Sequence, residues 1–204
     1  PKGTTGVFDI ETFINKENSD CLVEIEILNA ENTVVASGIG KKSTIKVNDV
    51  HLWHGRKDPY LYTVVLTRGE EIIEQRIGIR SIKVSDKYEL LINDKPVKLK
   101  GINHHDTMIG KGYCMSDEDM RRDLELMKEL NINSVRTSHY PPHPKFVDMC
   151  DEMGFYVVDE CDMETHGFNQ RAIDETYKDW LRKNILPQKP PLDESIKLPE
   201  ATAR

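Results

Sequence analysis

The sequence predicts a two-part chain, an antiparallel β-sandwich followed by a parallel α/β unit. Three observations lead there. Over residues 1–83, short runs that alternate apolar and polar residues are separated by turn residues, the pattern of an antiparallel sandwich. After Val84, apolar strands are separated by single segments with helical spacing, which implies a parallel sheet with right-handed crossovers. Each of those later strands runs into a polar cluster at its C-terminal end, where parallel α/β folds bind their ligands.

The elements follow in order. Val7 to Ile14 alternates, and Leu22 to Leu28 places Val23, Ile25 and Ile27 on one face. A polar turn at 29–33 leads to an extended Val34 to Ala36, and Thr44 to Val50 alternates again. Leu61 to Leu66 and Ile72 to Ile82 form two arms around the turn Arg68-Gly69-Glu70. That makes about six strands where a sandwich of this type usually has seven. Tyr88 to Ile92 and Val97 to Lys100 flank Asn93-Asp94-Lys95-Pro96 as a small hairpin, and the run to Ile102 ends in Asn103-His104-His105-Asp106. Ser116 caps a helix, with Asp119 as its capping-box partner. Met120, Leu124, Met127 and Leu130 keep helical spacing inside it. Ile132 to Val135 is a strand leading to Arg136-Thr137-Ser138-His139-Tyr140-Pro141. Pro144 opens a second helix that Gly154 stops. Phe155 to Val158 is a third strand, and Ile173 to Ile185 has the spacing of a last helix. Residues 187–204 are proline-rich and expected to be disordered.

Composition narrows the function classes. The 204 residues are 38% hydrophobic and 31% charged, with a net charge of −7. An acidic chain with most of its negative charge after Val84 is a poor nucleic-acid or anionic-membrane binder. No apolar run reaches the ~18 residues of a membrane-spanning helix. Residues 1–6 lack a signal-peptide core, and the chain does not begin with Met, so it is expected to be a piece of a longer protein. Cys21, Cys114, Cys150 and Cys161 show no CxxC spacing and read as free thiols of a reducing, cytoplasmic compartment.

His104, His105, His139, His143 and His166 fall on loops after strands or at a helix start. A lone histidine is more often a hydrogen-bonded structural residue than a ligand, but five on one rim point to a site. His104 and His105 face opposite sides of a continuing strand, so one of them faces a pocket. His143 reads as a helix-start residue. Glu160, Asp162 and Glu164, spaced by two, read either as a solvated loop or as a carboxylate-lined pocket. Such carboxylates do acid–base work on a sugar, hold a hydrated Mg²⁺ or bind hydroxyls. HExxH, GxSxG, GxGxxG and Walker patterns are absent from the sequence. Trp53 and Tyr60-Leu61-Tyr62 read as core or domain-interface aromatics.

One long pattern carries a family resemblance. Asn133-Ser134-Val135-Arg136-Thr137-Ser138-His139-Tyr140-Pro141, then Phe146-Val147, Asp151, Gly154 and Phe155-Tyr156-Val157-Val158 resembles the first signature of family 2 glycoside hydrolases. Leu52-Trp53, Pro59-Tyr60-Leu61-Tyr62, Gly78-Ile79-Arg80, Leu91-Ile92-Asn93 and Lys100-Gly101-Ile102-Asn103 resemble the same family in the same order. The resemblance covers about residues 7–170. Glu164-Thr165-His166-Gly167-Phe168 is more similar to the β-galactosidase branch than to the β-glucuronidase branch.

The resemblance implies an immunoglobulin-like β-sandwich over residues 1–83. It further implies a partial (β/α)8 TIM barrel of about three β/α units over residues 84–186, and a disordered tail over 187–204. A whole barrel takes roughly 250 residues, and about 100 follow the sandwich here. It implies a retaining mechanism with two glutamates, the acid/base in an Asn-Glu pair. No Asn-Glu pair occurs in this chain, so the expected catalytic residues are none, and the chain alone is expected to be inactive. Asn103, His105 and His139 resemble residues that contact sugar hydroxyls. Glu164 and His166 resemble two ligands of an active-site Mg²⁺ whose third ligand is the absent acid/base, so Mg²⁺ binding by this chain is expected to be weak or absent. The expected partners are a β-galactoside in the parent protein and another chain, in an oligomer or through pairing of an open strand edge. A β-glucuronidase-type enzyme, a non-catalytic carbohydrate- or partner-binding module and a histidine-built metal protein are the competing readings.

Overall fold

The structure, a computed structural model, describes residues 4–14 and 22–162. Six strands make the first part: β1 Gly6–Glu11, β2 Glu24–Leu28, β3 Val34–Ile39, β4 Lys42–Val47, β5 Tyr62–Arg68 and β6 Glu71–Ile77. β1 and β4 pair antiparallel as a two-stranded sheet, and β3-β2-β5-β6 form a four-stranded antiparallel sheet. The alternation in the sequence is the alternation of burial. Ile25 and Ile27 of β2, Ile45 and Val47 of β4 and Val64 of β5 point into one core with Phe8 and Tyr62, while Glu24 and Glu26 stay in water.

The chain reads as one extended arm from Ile72 to Ile82, and here the structure differs. β6 ends at Ile77, and Ile82–Val84 is a separate strand, β7. The break lies where Gly78 passes Trp53, whose Cδ1 would lie 2.7 Å from any Cβ at that position. β7 joins β8 Leu90–Ile92 and β9 Lys95–Pro96 in a small antiparallel sheet.

The second part is parallel, as its spacing predicts. β10 Gly101–His104, β11 Ser134–Thr137 and β12 Tyr156–Val158 lie side by side in that order, with α1 Asp117–Glu129 and α2 Pro144–Met153 as the crossovers. Ser116 caps α1 with a complete capping box: its Oγ accepts from Asp119 N, and its own N donates to Asp119 Oδ2. Lys111 and the Ser116 backbone N–H both donate to the Asp119 carboxylate, which holds its pKa near 2. Met120, Leu124 and Met127 are buried against Val135, Phe146, Cys150 and Phe155. Leu130, grouped with them by spacing, is 65% exposed, because it sits at the C-cap where the helical register ends. His143 is the N-cap of α2, its Nδ1 accepting from Lys145 N, and Gly154 closes the helix in the left-handed region at φ 81°.

Trp53, 1% exposed, locks the sandwich to the α/β part. Its indole Nε1 donates to Asp151 O at 2.9 Å. Arg80 lies 4.3 Å above its ring and pairs with Asp151 Oδ1 at 2.8 Å. Arg56 reaches across as well, donating to Ile132 O and Lys128 O. The aromatics are thus interface and core residues. No helix among the described residues is long and apolar enough to cross a membrane. Cys150 is a buried free thiol, and Cys114 and Cys161 are exposed free thiols; Cys21 lies outside the described residues, as do the segment Ile173–Ile185 and the tail.

Candidate functional site

The three parallel strands end together. Register pairing sets Asn103 of β10 beside Arg136 of β11, and Arg136 beside Val158 of β12. The polar residues that follow each strand therefore share one rim.

Arg136 is the centre of that rim. Its Nη1 donates to Asn103 Oδ1 at 3.3 Å, and its Nη2 donates to Glu160 Oε1 at 2.7 Å. The same Nη2 lies 3.2 Å from His139 Nδ1, and Glu160 Oε2 lies 3.4 Å from that nitrogen. Glu160 is anchored in turn, since its backbone N donates to Thr137 Oγ1, and Thr137 Oγ1 donates to Asp159 Oδ1. The guanidinium, then His139, hold the Glu160 carboxyl below the usual carboxylate range. It is an acceptor at neutral pH and unsuited to general acid catalysis, which wants a raised pKa.

Among the described residues, each committed atom leaves another without a partner. Asn103 Oδ1 is taken, so its Nδ2 remains as a donor pair. His139 Nδ1 is taken, so Nε2 is the edge left for a ligand. The exposed His105 stands with its ring 5.6 Å from that of His139, edge to face, and 6.1 Å from that of Tyr140. The set presents donors and imidazole edges at one surface, an arrangement suited to sugar hydroxyls.

The structure brings Asn103, His105 and His139 together on the rim. His104 turns the other way. It is 9% exposed, stacks on Phe146 at 4.6 Å and places Nε2 3.0 Å from Asp123 Oδ2 and Nδ1 3.5 Å from Asp106 Oδ1. Asp106 organises the rim loop, its N donating to Tyr140 Oη and its Oδ2 accepting from His143 N. Asp162 is exposed and, among the described residues, accepts from the Cys161 thiol. Glu164 and His166 lie outside the described residues. Among the described residues no group of three His, Cys, Asp or Glu side chains is placed to hold a metal ion.

Sequence reasoning singled out neither Arg136 as the hub nor Glu160 as its specific partner. The available signal was that both follow apolar strands that the spacing makes neighbours.

The comparisons bear on what the rim belongs to. The family described as "Glycosyl hydrolases family 2, TIM barrel domain" matches residues 82–190, and "Glycosyl hydrolases family 2" matches residues 4–80. The beta-galactosidase of Actinobacillus pleuropneumoniae is 39% identical over 164 residues, covering 80% of this chain and 16% of that protein. The beta-galactosidase of Staphylococcus xylosus is 38% identical over 159 residues, 78% of this chain and 16% of that protein. The chain thus spans 16% of the length of these relatives. Among solved structures, the Ruminococcus gnavus beta-glucuronidase in complex with uronic isofagomine has a TM-score of 0.72 at 28% identity, covering 84% of this chain and 29% of that one. Its complex with C6-substituted uronic isofagomine has a TM-score of 0.73 at 30% identity, covering 88% and 30%. An immunoglobulin-like sandwich followed by the start of a TIM barrel is the architecture these matches imply. The chain belongs to family 2 of the glycosyl hydrolases.

Proposed function

We propose that this chain is the sandwich and the first three β/α units of a retaining β-galactosidase. Its rim holds a terminal β-D-galactoside through Asn103, His105 and His139. The acid/base and nucleophile glutamates come from elsewhere in the parent protein, and the chain alone does not turn over substrate. The observation that carries this reading is the Arg136-centred rim, in which one guanidinium fixes Asn103, His139 and Glu160 at the C-terminal ends of parallel strands. Glu160 orients Arg136 and His139; Asn103 Nδ2 and His139 Nε2 meet the sugar hydroxyls. Retaining hydrolysis needs two carboxyl groups about 5 Å apart, one of them protonated, and Glu160 as an ion-paired carboxylate fills neither role.

A β-glucuronide substrate is the second reading, favoured by the structural neighbours. Two points set the galactoside first. Sequence identity is higher to the beta-galactosidases. A glucuronate carboxylate needs a cation, and Arg136 is already neutralised by Glu160. In the parent protein Glu164 and His166 hold Mg²⁺ together with a third ligand from elsewhere, and the chain alone holds it weakly if at all. Pairing of an open strand edge with a second copy and a cytoplasmic setting suited to the exposed thiols of Cys114 and Cys161 complete the proposal.

The test has two arms. The purified chain is expected to leave a nitrophenyl β-galactoside unhydrolysed, since loss of a catalytic carboxyl costs several powers of ten in rate. Galactose, and not glucuronate, is expected to perturb the imidazole resonances of His105 and His139. Hydrolysis that scales with protein and vanishes in His139→Ala would place the machinery in this chain. Unmoved imidazole resonances would remove the sugar from the rim.

A further inference from the structure

At the other end of the same three strands lies a cleft of about 810 Å³. Its walls come from the 3₁₀ turn Gly55–Lys57, the β8–β9 hairpin, the residues that precede β10 and β11, and Tyr156 at the start of β12. Lys57, Lys95, Lys98 and Lys100 line it, all exposed. Among the described residues none of the four makes an ion pair, whereas Lys42, Lys83, Lys111 and Lys145 each do. Asp58 is the carboxylate in the lining, and it is held by His51 Nε2 at 2.6 Å. Four like charges thus converge with no carboxylate paired to them among the described residues, in a chain of net charge −7. Like charges gathered on one concave surface repel one another and concentrate anions. His54, in the same wall, has its pKa lowered first by burial and next by the positive charge of Lys95.

The chemistry of the cations narrows the ligand. Arg56 also lines the cleft, but Nη1 and Nη2 both donate to backbone carbonyls, of Ile132 and Lys128. Two of the five guanidinium donors are thus committed to backbone and Nε is buried, so the exposed cations of the cleft are ammonium point charges, which suit phosphoryl groups. The volume falls in the ~300–1,000 Å³ range of small-molecule pockets. We infer that this cleft binds a small molecule carrying two or more phosphoryl charges, at a site separated from the rim by the length of the strands.

Inorganic tripolyphosphate is the probe, titrated calorimetrically into the 204-residue chain at low salt. Saturable binding is expected, weakening as salt rises because the lysines are exposed. Lys95→Glu with Lys98→Glu is expected to weaken it by about tenfold or more. Lys41→Glu with Lys87→Glu, an equal change in net charge elsewhere, is expected to leave it unchanged. No saturable binding at millimolar probe, or equal weakening by both pairs, overturns the site. Citrate binding as tightly as tripolyphosphate overturns the choice of phosphate, and hexaglutamate binding more tightly makes the cleft a peptide-docking surface instead. These readouts are independent of sugar binding and of hydrolysis.

Discussion

Arg136 Nη2 lies 2.7 Å from Glu160 Oε1, and this one ion pair joins the ends of the second and third parallel strands. Because Glu160 is held below its ordinary value by Arg136, the pair is linked to pH. A group whose folded pKa is depressed contributes stability above its unfolded value and loses it as pH falls through the folded value. Arg136→Met is therefore expected to cost stability above about pH 4.5, with the gap to the unaltered chain closing as pH falls. Urea unfolding between pH 3 and pH 7 measures it. A gap constant across that range would show that the arginine acts through packing alone.

His104 is expected to matter for folding and His105 for binding. Removing the buried imidazole in His104→Ala leaves Asp123 facing a cavity and takes a ring off Phe146. That is expected to cost on the order of 2 kcal/mol. His105→Ala, at an exposed position, is expected to stay within about 0.5 kcal/mol while weakening galactose binding. The two urea midpoints decide the matter, and the reverse order would reassign the pair.

Gly154 is needed twice over. It sits at φ 81°, and a Cβ there would come within 2.4 Å of Gly55 C and 2.5 Å of Arg56 N. Backbone cannot move aside as a side-chain tip can. Gly154→Ala is expected to cost about 3 kcal/mol or more, from left-handed strain plus overpacking. A thermal unfolding midpoint within two degrees of the unaltered chain would mean that the sandwich and the α/β part shift apart freely.

These cases show what could be read in the sequence. Gly154 as a helix stop, Ser116 and Asp119 as a capping box, and Met120, Leu124 and Met127 as a buried stripe are local rules, and local rules are written in neighbouring residues. Strand alternation put His104 and His105 on opposite faces, and the family resemblance chose His105 between them. The approach of Gly154 to Gly55, the break at Gly78 against Trp53 and the hub role of Arg136 depend on contacts between distant segments. No period in the sequence encodes them. Asn103, Arg136 and Glu160 meet only because three strands align, and their register is set by core packing.

The thiols are expected to divide by burial. Cys150 is fully buried in α2, and desolvation pushes its pKa up to about 12. Thiolate is the reactive form, so Cys150 is expected to resist iodoacetamide in the folded chain while Cys114 and Cys161 are alkylated. Peptide mass mapping after a short exposure reads this directly. Early labelling of Cys150 would mean that α2 opens on the labelling timescale.

The last prediction concerns the strand edges. In the order β10-β11-β12, the outer strands each have one neighbour among the described residues. Val158 at the end of β12 is 48% exposed, and Ile102 of β10 is 40% exposed. Apolar residues on an unpaired edge form a template for another strand. The chain is therefore expected to associate with itself, with a light-scattering mass above that of a single chain at low micromolar concentration. A charge at the edge opposes such pairing, so Val158→Lys is expected to shift the population toward monomer without changing the far-ultraviolet spectrum. If the unaltered chain is instead a monomer whose Val157 and Val158 amides are protected from exchange, a segment of the same chain covers β12, and the pairing between copies is wrong.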